Sequence, residues 1–253
     1  MIDTHAHLYL KEFKPDIAQV IQRSKDAGIQ QVWLPGIDAD SLPEMEALSN
    51  LYPGYFRLFA GLHPCDVHPD FQDIIHKIED ALKTGKYSGI GEIGLDLYWD
   101  KTYIEEQKAA LTMQLDLAVT YNCPVILHIR DAFDEIMPII RTYYAKGLKG
   151  IFHSFAGAPE QALELTQQGG FLLGVNGSIT FKKSRFAEFL NTIPLEYIVT
   201  ETDSPYLSPV PFRGKRNESK NISLIVKFIA KLYNISEQEV QSQTQQNATL
   251  LLS

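Results

Sequence analysis

The segment MIDTHAHLYL, residues 1–10, begins the fold predicted below and contains an acid and two histidines at alternating positions, Asp3, His5 and His7. Side chains alternate between the two faces of a β-strand, so these three share one face. Two neutral imidazoles on one face form half of a metal site. Short histidine pairs are weak motifs, and a frayed polar segment is the alternative. Motifs elsewhere in the sequence are needed to distinguish a metal site from a frayed segment.

Short apolar runs rich in β-branched residues recur along the chain and predict eight strands. They lie at residues 2–7, 31–35, 56–63, 88–92, 124–128, 150–153, 171–175 and 197–201. Amphipathic helical stripes separate them, for example at 71–82, where Asp70 is placed to cap the helix start and Gly85 its end. Ser236 and Glu239 predict a capping box that opens a last helix.

Eight strands that alternate with helices indicate either a closed (β/α)₈ barrel or an open, doubly wound sheet. The first strand–helix turn lacks the GxGxxG pattern that supports a dinucleotide-binding open sheet. The length of 253 residues is close to the ~250 of one α/β barrel. No linker, low-complexity segment or repeat divides the chain. The sequence therefore predicts an α/β protein with a single TIM-barrel domain over residues 1–253.

The formal net charge of −8 argues against a protein that coats duplex DNA, but it allows phosphate binding through a local basic patch or bound cations. No apolar run approaches the ~20 residues of a membrane span, and no secretory signal is visible. Cys65 and Cys123 are isolated and do not suggest a disulfide framework. We therefore expect a cytoplasmic monomer without a membrane partner.

Ionisable residues collect where the predicted strands end. They are His5, His7, His63, Glu92, His128, His153 and Asp203. The C-terminal strand ends of a barrel converge on one mouth, which is where such enzymes have their active sites. A lone histidine at a strand end is more often a hydrogen-bonded structural residue than a ligand. The joint pattern nevertheless favours one cavity lined by ligands.

Nitrogen and oxygen ligands without a thiolate suit Zn²⁺, Mn²⁺ or Mg²⁺, and this set is large enough for two ions. Glu92 lies between the histidine groups in the sequence, where its carboxylate could bridge both ions. Two-metal sites share an activated water and hold both oxygens of an in-line phosphoryl displacement. The pattern therefore predicts two divalent metal ions as cofactors.

Two segments after the last predicted strands favour a phosphate-containing substrate. GVNGSIT at 174–180, with Asn176, follows strand 7 and precedes Lys182, Lys183 and Arg185, and PFRGKRN at 211–217 follows strand 8. Loops after strands 7 and 8 are the usual phosphate-binding loops of barrels. Solvated basic turns are the alternative, which we favour for the lysines. Arg213 lies beside a glycine and close to Asp203 in the sequence, which favours a functional role.

Seven segments contain most of these candidate residues. They are DTHAH at 3–7, GLHP at 61–64, GEIGLD at 91–96, HIR at 128–130, FHSF at 152–155, ETDSPYL at 201–207 and RGKRN at 213–217. In this order they resemble the TatD-type metal-dependent deoxyribonucleases, which belong to the amidohydrolase-like barrels. The resemblance implies a TIM barrel of the metallo-dependent hydrolase type. It also implies a divalent-metal nuclease that removes nucleotides from DNA ends, usually from 3′ to 5′ and with single strands preferred.

The resemblance also implies roles for individual residues. The metal ligands correspond to His5, His7, Glu92, His128, His153 and Asp203, and the phosphate-contacting groups correspond to His63 and Arg213. Arg130, in the HIR motif, and Asn176, in the loop after strand 7, are further predicted substrate contacts. Asp3 is predicted to orient the first two histidines.

The predicted mechanism uses two ions. One would be held by His5, His7, Glu92 and Asp203, and the other by Glu92, His128 and His153. The ions lower the pKa of a bridging water whose proton Asp203 accepts, so Asp203 and Glu92 are the predicted catalytic residues. Tyr98 and Trp99, after strand 4, are candidates for stacking on an end base, with a lid packed on its own barrel as an equal alternative.

Two other functions remain open. Because fold does not fix substrate, the barrel could instead hydrolyse a lactone, an amide or an aminoacyl ester on tRNA, although Arg213 and the basic loops argue against an uncharged substrate. A barrel that binds metal or nucleic acid without turnover is the second alternative, and the complete ligand set argues against it. The predicted function is metal-dependent hydrolysis of DNA phosphodiesters, with single strands or duplex ends as the substrate.

Overall fold

A computed structural model describes residues 1–253, and at its centre is one sheet of eight strands in which each strand pairs in parallel with the next. The strands are β1 (Ile2–Asp3), β2 (Gln31–Pro35), β3 (Phe56–Ala60), β4 (Tyr87–Asp96), β5 (Val125–Arg130), β6 (Gly150–Phe152), β7 (Leu172–Val175) and β8 (Ile198–Thr200). Beyond β1, the Thr4 amide donates to the Thr200 carbonyl at 3.1 Å, and Ala6 pairs in parallel with Ser204. These contacts join the last strand to the first, so the predicted (β/α)₈ barrel is confirmed.

The chain contains nine α-helices, of which the first seven lie between consecutive strands and the last two follow β8. They are α1 (Ile17–Asp26), α2 (Ser41–Leu51), α3 (Phe71–Lys83), α4 (Ile104–Thr120), α5 (Phe133–Arg141), α6 (Pro159–Gln167), α7 (Arg185–Phe189), α8 (Ile222–Tyr233) and α9 (Glu237–Leu251). None of them combines the length and the apolar composition that crossing a lipid bilayer requires.

The ends of α3 and α9 can be compared with the capping residues predicted for them. The capping box of α9 is confirmed, because the Glu239 amide donates to Ser236 Oγ at 3.1 Å and the Ser236 amide donates to Glu239 Oε2 at 2.8 Å. Gly85 lies just beyond α3 with a φ of +71°, the left-handed conformation expected there. The prediction that Asp70 caps α3 is wrong. Its backbone is not in the extended conformation of a capping residue, and its side chain accepts no capping hydrogen bond.

Two strands end before the histidines that the sequence places on them. β1 ends at its second residue and β3 ends at Ala60, so His5, His7 and His63 lie in loops beyond these strands. The backbone there leaves the ladder for other partners. The His63 amide, for instance, donates at 2.7 Å to the carbonyl of Ile37, in the loop after β2.

β4 and β5 run beyond their predicted ends, to Asp96 and Arg130, whose Cα atoms are partners in the sheet. Glu92 and His128 therefore lie inside strands rather than at their last residues. The register between the two strands shifts around Glu92. The longer strands carry additional side chains to the mouth of the barrel, which enlarges the set of groups around the predicted site.

An apolar layer fills the barrel interior on the side where the strands begin. Its members are Ile2, Trp33, Phe59, Ile126, Ile151, Leu172 and Val199 from the strands, with Ala248 and Leu251 from α9. Trp33 and Phe59 stack with ring centroids 5.1 Å apart. α9 is fixed to this end by Asn247 Nδ2, which donates to the carbonyls of Leu195 and Ile198 at 2.8 and 2.7 Å. α9 therefore forms the floor of the barrel, and the ionisable cluster lies at the other end.

Candidate metal centre

The predicted ligands meet at the C-terminal end of the barrel. His5 and His7 follow β1, Glu92 and His128 lie in β4 and β5, His153 follows β6, and Asp203 follows β8. Their donor atoms form three groups, His5–Glu92–His153, His5–His7–Asp203 and His63–Glu92–His128, and within each group the donor atoms lie within 4.8 Å of one another. The elements of the barrel thus bring together residues that are up to about two hundred positions apart in the sequence.

Glu92 lies at the centre of the cluster, with histidines on both sides. Its Oε2 is 3.1 Å from His5 Nε2 and 3.4 Å from His7 Nε2. Its Oε1 is 2.8 Å from His128 Nδ1 and 3.8 Å from His153 Nε2. Oε1 also lies 3.7 Å from His63 Nε2. Each carboxylate oxygen therefore faces a different set of imidazoles, an arrangement that suits a carboxylate shared by two ions.

Asp203 contributes the second carboxylate of the cluster. Its Oδ1 is 3.7 Å from Nε2 of both His5 and His7, and its Oδ2 is 3.9 Å from His153 Nε2. The Nε2 atoms of His5 and His7 are themselves 3.1 Å apart. Ligands that each bind one ion at ~2.0–2.2 Å lie about 3–4 Å from one another. The separations around Asp203 are therefore those of donors around a shared cation.

Asp96, at the end of β4, contacts the far side of His128 and was not among the predicted site residues. Its Oδ2 is 2.9 Å from His128 Nε2, and its carboxylate is buried. Its Oδ1 accepts hydrogen bonds from the amides of Tyr98 and Trp99 at 2.9 and 3.3 Å. Residues four apart in a strand share a face, so the spacing from Glu92 to Asp96 was a signal in the sequence.

Glu201 lies beside His153 and, like Asp96, was not among the predicted site residues. Its Oε1 is 2.9 Å from His153 Nδ1, an ion-pair distance without the alignment of a hydrogen bond. The same oxygen accepts from the Ser154 amide at 2.6 Å. The carboxylate is fully buried, and any side chain at Gly174 would clash with it. Glu201 is therefore placed to orient the His153 ring so that Nε2 faces Glu92.

His63 contacts the cluster from the loop after β3. Its Nδ1 accepts a hydrogen bond from the Cys65 amide at 3.1 Å, and its Nε2 faces Glu92 Oε1 at 3.7 Å. Its ring centroid is 4.5 Å from that of His128. His63 was predicted to contact phosphate, and its Nε2 also groups with Glu92 and His128 as a possible metal donor. Nε2 of His63 would serve in either role, as a contact to phosphate or as a metal donor.

Asp3 contacts neither imidazole ring, so it does not orient the two rings as predicted. Its carboxylate accepts hydrogen bonds from the amide and hydroxyl of Thr202 at 2.9 and 2.6 Å and from the His5 amide at 3.3 Å. His5 Nδ1 has no hydrogen-bond partner, and His7 Nδ1 is 3.0 Å from the Tyr9 hydroxyl. Asp3 is buried where β1 meets the chain after β8 and fixes the backbone that precedes the last ligand.

Burial and charge together make this cluster dependent on positive charge. Burial raises the pKa of Asp203 to about 6. Burial by itself lowers the pKa of His153, but Glu201 and Asp203 outweigh it and raise that pKa to about 10. Burial by itself raises the pKa of Glu92, but the surrounding histidines outweigh it and hold that pKa well below its usual range. The buried carboxylates therefore need a proton or a cation beside them.

The donor set fits divalent metal ions. Every group that faces the centre is an imidazole nitrogen or a carboxylate oxygen, and such donors suit Zn²⁺, Mn²⁺ or Mg²⁺. A cation at this position would provide the positive charge that the carboxylates require. The chemistry of the residues thus agrees with a metal centre.

The basic loop after β8 contains one free arginine among residues with structural contacts. Arg216 donates to both carboxylate oxygens of Asp16 at 2.7 and 2.8 Å, and Asn217 is fully buried. Arg213 forms no ion pair, and its guanidinium carbon lies 4.6 Å from the ring centre of Phe181. Within the RGKRN motif, Arg216 and Asn217 stabilise the loop, while Arg213 is exposed.

The two remaining predicted substrate contacts differ in exposure. Asn176 is buried, donates to Ser154 Oγ at 2.7 Å and accepts from the Ser178 amide at 3.0 Å. Both ends of its amide thus have partners, and its contact with substrate stays a prediction. Arg130 is exposed at the end of β5, with its guanidinium carbon 3.7 Å from the ring centre of Tyr98.

Known proteins are similar to this chain over its whole length. The sequence model of a family described as "TatD related DNase" matches residues 2–253. The "Uncharacterized metal-dependent hydrolase YabD" of Bacillus subtilis is 33% identical over 252 residues, which are 99% of this chain and 98% of that protein. The "3'-5' ssDNA/RNA exonuclease TatD" of Erwinia billingiae is 29% identical over 257 residues, covering 99% and 98% of the two chains.

A solved structure is similar at the level of the whole fold. The crystal structure of YjjV, a TatD homologue from Escherichia coli K12, superimposes with a TM-score of 0.93 at 28% sequence identity. The match covers 99% of this chain and 97% of the YjjV chain. The similarity therefore includes all eight strands and the loops that contain the ionisable cluster.

Proposed function

The chain belongs to the family of TatD-related DNases and is a metal-dependent hydrolase, and from this premise we propose that it is a 3′-to-5′ exodeoxyribonuclease. The observation that carries the proposal is the position of Glu92, whose two carboxylate oxygens face separate sets of histidines. A relative of nearly equal length is named as a 3′-5′ exonuclease on single-stranded DNA and RNA. The exposed arginines at the barrel mouth support an anionic substrate.

We propose that the site holds two divalent ions. His5, His7, Glu92 and Asp203 would hold one, and Glu92, His128 and His153 would hold the other. When bound, the ions supply Lewis acidity to the phosphoryl group and lower the pKa of water. His63 would lie beside the second group, where its Nε2 could contact a phosphate oxygen.

Asp203 is the proposed general base. Its side chain is more exposed than that of Glu92, at 14% against 4%, so Asp203 reaches the cavity where substrate enters. Glu92 is enclosed by imidazoles, and its oxygens are occupied with holding the two histidine pairs together. A carboxylate that accepts a proton from an attacking water typically contributes about 10²–10⁴-fold to the rate. In this proposal Asp203 accepts the proton and Glu92 positions the histidines around it.

The exposed guanidinium of Arg213 is the proposed phosphate contact. It follows β8 in the chain, as Asp203 does, and no carboxylate pairs with it. The planar guanidinium can donate two parallel hydrogen bonds to a phosphate group. Arg130, at the end of β5, is the proposed second contact. Asn176 would act on the substrate only through the Ser154 hydroxyl to which it donates.

A substrate panel tests this function. Protein stripped of metal by a chelator is incubated with Mg²⁺, Mn²⁺ or Zn²⁺ and with 5′-labelled single-stranded DNA, blunt duplex DNA, RNA, a lactone, an amide and aminoacyl-tRNA. We expect a ladder of 5′-labelled products that shortens from the 3′ end and that excess chelator abolishes. Hydrolysis of the lactone, amide or ester without strand cleavage would assign the other hydrolase function. Metal binding without turnover of any substrate would indicate the non-catalytic barrel.

We also propose that the protein acts as a monomer in the cytoplasm. Its two cysteines, Cys65 and Cys123, are both free, as is usual where thiols are kept reduced. Light scattering coupled to size-exclusion chromatography tests the monomer, and a dimer at micromolar concentration would contradict it.

A further inference from the structure

The turn after β4 presents two aromatic side chains to which the proposed reaction gives no role, beside Arg130, the proposed second phosphate contact. Trp99 and Tyr98 are 70% and 54% exposed, and their rings meet edge to face with centroids 4.9 Å apart. The guanidinium carbon of Arg130 lies 3.7 Å from the ring centre of Tyr98 and 5.1 Å from that of Trp99. We call these three residues the aromatic platform. Contiguous exposed aromatic surface on a protein commonly marks a binding site.

The aromatic platform is attached to the metal cluster through Asp96. One oxygen of this buried carboxylate accepts from the amides of Tyr98 and Trp99, and the other contacts His128 Nε2 at 2.9 Å. The sheet adds a second link, because the Leu97 amide donates to the Arg130 carbonyl at 2.9 Å. A ligand bound to the platform would therefore be held at a fixed distance from the predicted metal cluster.

The composition of the platform identifies the kind of ligand. A lid packed on its own barrel would bury its rings, whereas Trp99 remains mostly exposed. Arg130 forms no ion pair, so its charge is available to an anion beside the rings. An aromatic face stacks on any nucleobase, and an arginine adds a cation–π contact and a phosphate contact. The rings can stack on a base, the guanidinium can bind a phosphate, and the neighbouring metal cluster is proposed to cleave phosphodiesters. A ligand with these features is a nucleotide of a nucleic acid.

We infer that the aromatic platform binds the unpaired base at the end of a single strand whose terminal phosphodiester lies in the metal cluster. This inference rests on the proposed function, because it takes the substrate to be a nucleic acid. Stacking on the platform requires a base that is free to leave its neighbours, which a single strand provides and a paired end resists. The platform would thereby select single-stranded ends without selecting their sequence.

The first test compares Trp99→Ala with wild type on two strands that differ only at the end: a normal single-stranded oligonucleotide and the same oligonucleotide with an abasic last residue. On the normal strand we expect KM to rise about 5- to 150-fold, the range for one lost stacking contact, with kcat within about twofold. On the abasic strand the two proteins should have the same KM. Trp99→Phe, which keeps a ring, should recover most of the affinity.

Leu51→Ala is the matched control. Leu51 is 72% exposed at the C-terminal end of α2. Because the helices run opposite to the strands, this residue lies at the end of the barrel away from the mouth, and its loss should change neither KM nor kcat. An unchanged KM for Trp99→Ala on the normal strand would overturn the inference. So would an equal rise in KM on both strands.

A binding measurement separates this inference from the proposed function. The chain has two tryptophans. Trp33 is buried in the apolar layer of the barrel, so a base stacked on Trp99 should quench only the fluorescence of Trp99. We expect quenching by a single strand with phosphorothioate end linkages, little by a blunt duplex, and none in Trp99→Phe. If wild type quenches but cleaves no strand, the proposed function fails and the platform stands. If it cleaves strands without quenching, the platform fails and the nuclease stands.

Discussion

The carboxylate of Glu201 lies 2.9 Å from Nδ1 of His153 in a fully buried contact. A carboxylate beside one ring nitrogen favours the proton on that nitrogen and leaves the other as a lone-pair donor. Because Nε2 of His153 faces both Glu92 and Asp203, Glu201 is placed to leave Nε2 as the nitrogen available to a metal ion. A residue without direct contact to the ion can thus control its affinity.

Glu201→Gln should lower metal affinity, since glutamine keeps the shape of the side chain but loses the charge beside His153. Loss of such an orienting partner typically costs about 10- to 100-fold in metal affinity. Calorimetric titration of chelator-treated protein with Mn²⁺ measures the change, and thermal unfolding checks that the variant folds. Glu164→Gln, which removes a carboxylate paired with Arg141 on the surface, is the control. Equal affinities of Glu201→Gln and wild type would contradict the orienting role.

Asp203→Asn should separate proton transfer from binding. Asparagine keeps one oxygen for a metal but cannot accept the proton of water, so kcat should fall about 10²–10⁴-fold while DNA affinity persists. Glu92→Gln is the informative contrast. Because Glu92 faces both histidine pairs, that change should lower metal content as well as rate. Single-turnover kinetics, elemental analysis and DNA-binding titrations of both variants measure the difference. Near wild-type turnover in Asp203→Asn would remove this residue from the mechanism.

Arg213→Ala should raise KM for oligonucleotides without changing metal content, because Arg213 forms no ion pair with the protein and lies in the loop after β8. Loss of a hydrogen bond to a charged group costs about 1.5–3 kcal/mol, which corresponds to a KM roughly 10- to 150-fold higher. Arg216→Ala is the matched change three positions later. It breaks the contact with Asp16 and should lower the melting temperature instead. If the two variants exchange these effects, the assignment of roles within the loop is wrong.

The contact between Arg216 and Asp16 should also contribute to acid stability. Hydrogen bonds from Arg216 lower the pKa of Asp16 from 3.8 to about 2. A carboxyl whose pKa is lower in the folded state stabilises the protein above its unfolded pKa, and this contribution is lost as pH falls through the folded pKa. Asp16→Asn should therefore lower the free energy of unfolding by about 1 kcal/mol at pH 6, a modest value because the pair is partly exposed. The difference between variant and wild type should shrink to a small fraction between pH 4 and pH 2 and vanish below pH 2.

Urea unfolding at pH 6, 4 and 2 measures this dependence. Glu44→Gln is the control, since Glu44 pairs with Lys14 where both side chains are more than half exposed and solvent screens the charges. A constant difference between Asp16→Asn and wild type across this range would show that ionisation of Asp16 does not stabilise the fold.

The barrel and the centre of the site could be predicted because both follow from simple periodicities. Alternating apolar runs separated by amphipathic stripes indicate strands and helices, and parallel strands of a barrel end at one mouth. The histidines were recognisable because each lies near a strand end, so topology alone brought His5, His128 and His153 together. The prediction of the site did not depend on exact strand ends, because a residue in the loop just beyond a strand can also place its side chain in the cavity at the mouth.

The residues that support the site were harder to predict. Asp96 and Glu201 are acids near predicted strand ends, like Glu92 and Asp203, and spacing does not distinguish a ligand from its neighbour. Which ring nitrogen each acid faces depends on strand length and register, and the β4–β5 register shifts around Glu92. The role of Asp3 was predicted wrongly because its carboxylate accepts hydrogen bonds from Thr202, a partner 199 positions away that spacing in the sequence does not indicate.

The order of the chain has a consequence for how the protein is made. A ribosome adds about 5–20 residues per second, so a nascent chain carries His5 for many seconds before Asp203 exists. The floor of the barrel comes later still, because Ala248 and Leu251 of α9 complete it. Until residue 204 has emerged, the growing chain has an open sheet edge and an incomplete set of donors. The complete donor set therefore forms only late in synthesis, and the unpaired edge is exposed to neighbouring nascent chains in the interval.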